Sequence, residues 1–204
     1  MKEFNINKSK IYYDEHLDGG GTVFGINALK SIKNKLISGK TLEMCSGPGF
    51  IGFWLYFNGY TNDLTLSDIN SENKKYIEKT IENNNLNFVK FVESNCFDNI
   101  EDNFDVIISN PPHFKTIRPG GYRSKHEELI SLDKDMNFHK KFFEKAKNYI
   151  SKNGKIILIE NTNGVTHEDI IELSKNDFDV EFLEFSNYDW PGKSLFYTII
   201  LKLK

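Results

Sequence analysis

The sequence predicts an α/β fold: a seven-stranded, mostly parallel sheet with helices on both faces and a C-terminal antiparallel hairpin. Three observations predict it. From Lys40 onward, short apolar runs alternate with amphipathic stretches; strand–helix alternation implies a parallel sheet covered on both faces. A glycine-bearing turn, Cys45-Ser46-Gly47-Pro48-Gly49, separates the first of these runs from the helix after it. The last two apolar runs follow each other with no helix between, so they pair antiparallel at one edge.

Residues 1–21 read as irregular and end in Gly19-Gly20-Gly21. Over 25–37, Ile26, Leu29, Ile32, Leu36 and Ile37 recur at helical spacing, and Gly39 closes that helix. Strands are predicted at 40–44, 64–67, 88–93, 104–109 and 155–160, and helices at 50–58, 71–83, 137–150 and 166–175. Asn153-Gly154 is the expected cap of the helix over 137–150. Two final strands at 178–185 and 195–203 flank a turn at 189–193. One structural domain is expected, with 1–39 an arm and first helix over the ligand site and 40–204 the core.

Composition narrows the function. The chain has 204 residues, 39% hydrophobic, with 17 Phe and 9 Tyr, enough for a single core. A net charge of −3 argues against binding nucleic acid mainly through phosphate charge. Cys45 and Cys96 are too few for a disulfide framework or a zinc site, and reduced thiols suit the cytoplasm. The N-terminus has no apolar leader segment, and the longest apolar runs are too short to span a bilayer. No metal and no membrane contact are expected; oligomeric state is not legible.

The chemistry concentrates at strand ends. Gly47 and Gly49 let the backbone turn tightly into a helix and approach a ligand. Asp68, ending the second core strand with Ile69 beside it, can accept hydrogen bonds from ribose hydroxyls or cap the next helix. Past the third strand, Asn95 can meet an adenine amino group with the Cys96 backbone beside it, or simply mark a strand exit. The fourth strand stops at Asn110-Pro111-Pro112-His113. Two prolines stiffen this loop and leave carbonyl acceptors.

The order Glu43, Gly47-Pro48-Gly49, Asp68, Asn95, Asn110-Pro111-Pro112 resembles the class I S-adenosylmethionine-dependent methyltransferases over residues 40–203, and with them a Rossmann-like core. Cys45-Ser46 stands where those proteins carry a first glycine, and Asn95 where they commonly carry Asp. The resemblance implies S-adenosylmethionine as cofactor, S-adenosylhomocysteine as product, and Glu43, Cys45, Gly47, Gly49, Asp68, Ile69, Asn95, Cys96 and Asn110 as its contacts. The Asn-Pro-Pro segment is similar to that of amino- and amide-methyltransferases acting on nucleobases or on protein glutamine.

That segment suits the reaction. A planar NH2 delocalises its lone pair; the Asn110 side-chain oxygen and the Pro111 carbonyl can each take one N–H and turn the lone pair toward a methyl donor. In the similar enzymes the fourth position is commonly Tyr or Phe. Here it is His113, followed by Phe114. His113 can be a stacking plate, a base that collects the released proton, or both; Phe114 can stack instead. The polar loop 115–135 offers Arg118, Tyr122 and Arg123 to a substrate, and Asp133, Asp135 and His139 either reach back over the site or cap the next helix. The acceptor class stays open between a protein or peptide amide, an RNA nucleobase amine and a small molecule. A small-molecule N- or O-methyltransferase and a non-catalytic cofactor-binding subunit are the competing functions.

Overall fold

In the computed structural model, which describes residues 1–117, 120–184 and 195–204, the chain opens with strands β1 (Lys2–Ile6) and β2 (Ser9–Tyr13). They form an antiparallel hairpin, with Asn7 at φ 55 in the turn. Asn tolerates that left-handed backbone. The segment expected to be irregular is therefore ordered, and the reason is tertiary. Ile11 is fully buried, the Tyr12 N–H donates to Thr80 Oγ at 2.9 Å, and the Asn84 side chain pairs with the Lys10 backbone.

Helix α1 (Ile26–Ser31) is shorter than its apolar spacing predicts. A π-helical turn over 21–25 precedes it and a 3-10 turn over 33–35 follows, the freed Lys35 carbonyl accepting from Lys155 Nζ at 2.7 Å. The core then runs β3 (Thr41–Met44), α2 (Phe50–Phe57), β4 (Leu64–Asp68), α3 (Lys74–Asn83), β5 (Val89–Glu93) and β6 (Phe104–Ser109). After it come α4 (Lys125–Ser131), α5 (Asn137–Lys145), β7 (Ile150–Asn161), α6 (His167–Ser174), β8 (Phe178–Glu184) and β9 (Phe196–Leu203).

The seven core strands lie in the order β5-β4-β3-β6-β7-β9-β8. β5 to β7 are parallel, and β9 runs antiparallel to both β7 and β8. The period-two alternation sends each strand's residues to two cores. On one face Leu64, Leu66, Val106, Ile108 and Ile157 pack with Ile26, Leu29, Phe53 and Ile77; on the other, Leu42, Met44, Ile107, Ile156 and Leu158 pack with Phe142, Phe143 and Ile170.

Two expectations are corrected. The helix predicted over 137–150 ends at Lys145, and Gly154 lies inside β7 rather than capping a helix. The Asp105 carbonyl crosses Gly154 so closely that the strand can pass only without a side chain there. The loop 115–135 also contains α4, started by Ser124, whose Oγ accepts the Glu127 N–H at 3.0 Å. Backbone bonds from Phe114 to Ser131 and from Asp133 to Phe114 tie the end of α4 to the Asn-Pro-Pro loop. The turn predicted at 189–193 lies outside the described residues.

Candidate active site

β3 is the first core strand and sits centrally, with β4 on one side and β6 on the other. Chain direction across the sheet diverges there, and the crevice above such strand ends takes ligands in open α/β sheets. A cavity of about 200 Å³ occupies it. Glu43, Cys45, Gly47, Asp68, Ile69, Asn95, Cys96 and Asn110 all line it, as do Leu17, Gly19 and Gly21 of the arm. Gly49 is not in the lining. It opens α2 at φ 85, where a Cβ would press on Leu66 and Phe53, so its place is structural.

Asp68 organises the mouth. Its Oδ2 accepts from Gly47 N at 2.7 Å and its Oδ1 from Asn70 N at 2.8 Å. Burial pushes its carboxyl up, against the pull of those two N–H groups. The cap of the following turn is Asn70, whose Oδ1 accepts Glu72 N at 3.0 Å, so Asp68 is not spent on capping. Ile69 is 50% exposed on the cavity rim. Glu43 is buried beneath the glycine turn; its Oε2 accepts from Gly52 N at 2.7 Å, and burial pushes its pKa up to about 8. Past β5, Ser94 Oγ donates to the Cys96 carbonyl at 2.8 Å, leaving Asn95 exposed. Burial pushes the Cys96 thiol up to about 12 and the Cys45 thiol well above its usual value.

The Asn110–Phe114 loop stands between two cavities. Asn110 and Pro112 line the first; His113 and Phe114 line a second, of about 680 Å³, which shares Gly19, His126 and Ile130 with it. Pro111 is buried and lines neither. Asn110 Nδ2 donates to the Gly19 carbonyl at 3.2 Å, and its Oδ1 is buried without a partner among the described residues.

Beneath this loop runs a buried polar chain. His113 Nδ1 is 2.9 Å from Glu160 Oε2, and His139 Nε2 is 2.8 Å from Glu160 Oε1. His139 Nδ1 is 2.6 Å from Asp133 Oδ2, and Asp133 Oδ1 accepts from Phe138 N at 2.7 Å. The His139 and Glu160 side chains are 0% exposed and that of His113 12%. Burial pushes the His139 imidazole down, but Glu160 and Asp133 outweigh it and raise its pKa to about 9. Burial likewise favours a protonated Glu160, yet His139 and His113 outweigh it and hold the carboxyl below its usual range.

His139 therefore lies under the loop and not on a surface a substrate can touch. Arg123 reaches the second cavity with its guanidinium paired to Glu127 at 3.1 Å. Tyr122 lines neither cavity, and Arg118 lies outside the described residues. Sequence reasoning missed Glu160, Gly164 and His126. The signal for Glu160 was a carboxylate ending the apolar run 156–159. Gly164 packs so tightly under the loop that a Cβ there would run into the His113 carbonyl. His126, on α4, reaches both cavities and meets Asn70 at 3.2 Å.

Comparison with known proteins gives the family. Residues 5–180 match the methyltransferase small domain. The release factor glutamine methyltransferase of Borreliella burgdorferi is 30% identical over 125 residues, 58% of this chain and 43% of that protein. The ribosomal RNA small subunit methyltransferase C of Buchnera aphidicola is 32% identical over 132 residues, 65% of this chain and 34% of that protein. The chain thus matches less than half the length of these relatives. Among solved structures, the PH0226 protein of Pyrococcus horikoshii shares the fold with a TM-score of 0.65 and 16% identity, covering 94% of this chain and 95% of that one.

Proposed function

The chain belongs to the methyltransferase small domain family, and from that premise we propose that it transfers a methyl group from S-adenosylmethionine to a planar nitrogen. The acceptor is a side-chain amide of a protein or an exocyclic amine of a nucleobase. The observation that carries this reading is Asn110 Oδ1: a buried acceptor without a partner among the described residues, on the wall of the first cavity and in the same loop as His113 and Phe114, which line the second. A buried polar atom in that state wants a donor, and a planar NH2 entering from the second cavity supplies one.

The residues present fit the cofactor. Asp68 keeps acceptor capacity for two ribose hydroxyls while its N–H partners hold it in place. Ile69 offers an apolar rim to the adenine, and Asn95 with the Cys96 backbone meets the base edge. The glycine turn and the arm residues Leu17, Gly19 and Gly21 enclose the rest. The sulfonium supplies an already activated methyl group, so the protein's task is positioning and charge. Asn110 holds one N–H of the acceptor. The Pro111 carbonyl, assigned the second N–H from the loop's sequence, belongs to a residue that lines neither cavity, and a small backbone adjustment is part of this reading. Phe114, with Arg123 near the mouth, flanks the acceptor.

The named relatives act on a release-factor glutamine and on ribosomal RNA; a glutamine side chain and a nucleobase amine both present a planar NH2. The free cysteines, Cys45 and Cys96, are in keeping with the cytoplasm, and among the described residues no helix is long and apolar enough to cross a membrane. The test is transfer of a tritiated methyl group into cell extract, followed by nuclease or protease digestion. Label released by one enzyme and not the other identifies the acceptor class, and no protein-dependent label in either fraction refutes the reading.

A further inference from the structure

We propose that Glu160, His139 and Asp133 are positioning residues that hold His113 with its proton on Nδ1, so that Nε2 takes the proton released when the acceptor nitrogen is methylated. The proposal rests on the methyl-transfer reading above and decides between the stacking and base roles open to His113.

The argument is one of hydrogen-bond inventory. Both ring nitrogens of His139 face carboxylate oxygens, Asp133 at 2.6 Å and Glu160 at 2.8 Å. A carboxylate only accepts, so both nitrogens must donate and His139 is an imidazolium. Asp133, His139 and Glu160 together then carry one uncompensated negative charge in a buried setting, which is costly unless a neighbour answers it. The neighbour is His113, with Nδ1 2.9 Å from Glu160 Oε2. Nδ1 must donate there, so in the neutral ring Nε2 holds the lone pair. Among the described residues Nε2 has no hydrogen-bond partner, and the ring borders the second cavity. A second proton on His113 would bring the buried chain to neutrality.

The step balances. The nitrogen lone pair forms the new N–C bond while the S–C bond breaks, its electron pair staying on sulfur as a neutral thioether. The nitrogen, now positive, loses one proton to His113 Nε2, and the imidazolium is compensated by Glu160. The packing keeps the ring in place for this. The Phe196 ring meets it edge-on at 5.7 Å, and Gly164 lies directly under the His113 backbone. Lys115, two residues after His113, is occupied with Asp169 at 2.7 Å.

The test reads the tautomer first, which needs neither cofactor nor substrate. In protein labelled with nitrogen-15 histidine, proton–nitrogen correlation of the imidazole rings in mildly alkaline buffer, with His113 assigned from the His113→Gln spectrum, shows which nitrogen bears hydrogen. A protonated Nδ1 and bare Nε2 are expected; a ring protonated on Nε2 alone overturns the proposal. In Glu160→Gln the amide can donate to Nδ1, so the proton is expected to move to Nε2, and an unchanged tautomer in that folded variant overturns the role of Glu160. Tritiated methyl transfer into the accepting extract fraction is expected to fall roughly a hundredfold in His113→Gln, the scale of a lost general base, with cofactor affinity unchanged. An unchanged transfer rate overturns the base role. Should the wild-type protein transfer no methyl to any fraction, the functional reading fails, while the wild-type tautomer still decides how His113 is held.

Discussion

The Asn110 side chain donates to the Gly19 carbonyl at 3.2 Å. This contact joins the end of β6 to the N-terminal arm, and it uses the donor half of the amide. The acceptor half is left buried and, among the described residues, unpaired. Asn110→Ala removes both. Methyl transfer is expected to fall by a hundredfold or more, on the order of losing one preorganised polar group from a reaction centre. Cofactor affinity by calorimetry is expected to change only a few-fold. Sustained turnover in this variant would move the reaction centre elsewhere.

Asp68 makes the opposite kind of prediction. Its carboxylate is held by Gly47 and Asn70 and faces the first cavity. Charge-assisted hydrogen bonds contribute about 1.5–3 kcal/mol each, and with two ribose hydroxyls held, Asp68→Ala is expected to weaken S-adenosylmethionine binding by roughly a hundredfold or more. Asp68→Asn keeps the shape and loses the charge, and an intermediate affinity is expected. Binding as tight as wild type in both variants would exclude Asp68 from the nucleoside site.

Gly164 tests the loop without removing a polar side chain. A Cβ at 164 would run into the His113 carbonyl, so Gly164→Ala must push the Asn110–His113 loop or the segment after β7. Overpacking of this kind typically costs about 1–3 kcal/mol. The expected signature is a lowered Tm and reduced transfer, with a smaller loss of cofactor affinity, because only Asn110 and Pro112 of the loop line the first cavity. A variant as stable and as active as wild type would show that the loop tolerates the shift.

The parts of the molecule that were legible in the sequence are those set by local pattern. Apolar runs marked β3 to β9, and their order with the glycine turn marked the cavity-lining residues from Glu43 to Asn110. What was not legible depended on contacts distant in sequence. The β1–β2 hairpin has little pattern of its own and is held by Thr80 and Asn84 of the α3 region. The stop of α5 at Lys145 follows from β7 starting early, at Ile150, to pair with Phe104. Glu160 read as the polar end of an apolar strand; only the fold brings it between His113 and His139, which are 47 and 21 residues away in sequence. The loop chemistry was visible while its buried support was not, since hydrogen-bond partners carry no spacing rule.

The same support has a pH signature. His139 is raised from 6.5 to about 9, with burial opposing and Glu160 and Asp133 prevailing. A raised folded-state pKa means that the native protein holds a proton the unfolded chain releases. The stability it contributes is complete below 6.5 and is lost as pH rises through about 9. Glu43, raised by burial from 4.5 to about 8, acts in the same direction over its own window: its proton is also retained by the native state, so stability falls as pH rises toward about 8. Between 6.5 and 8 both groups contribute, one proton each. The denaturant midpoint of the wild-type protein is therefore expected to fall with rising pH across this interval. In Glu43→Gln, which keeps an acceptor for the Gly52 N–H, the slope that these two groups produce is expected to drop to about half. Direct titration of the His139 ring by NMR checks the remainder: a midpoint near 9 is expected, and one near 6.5 would mean that Glu160 and Asp133 do not hold the imidazolium.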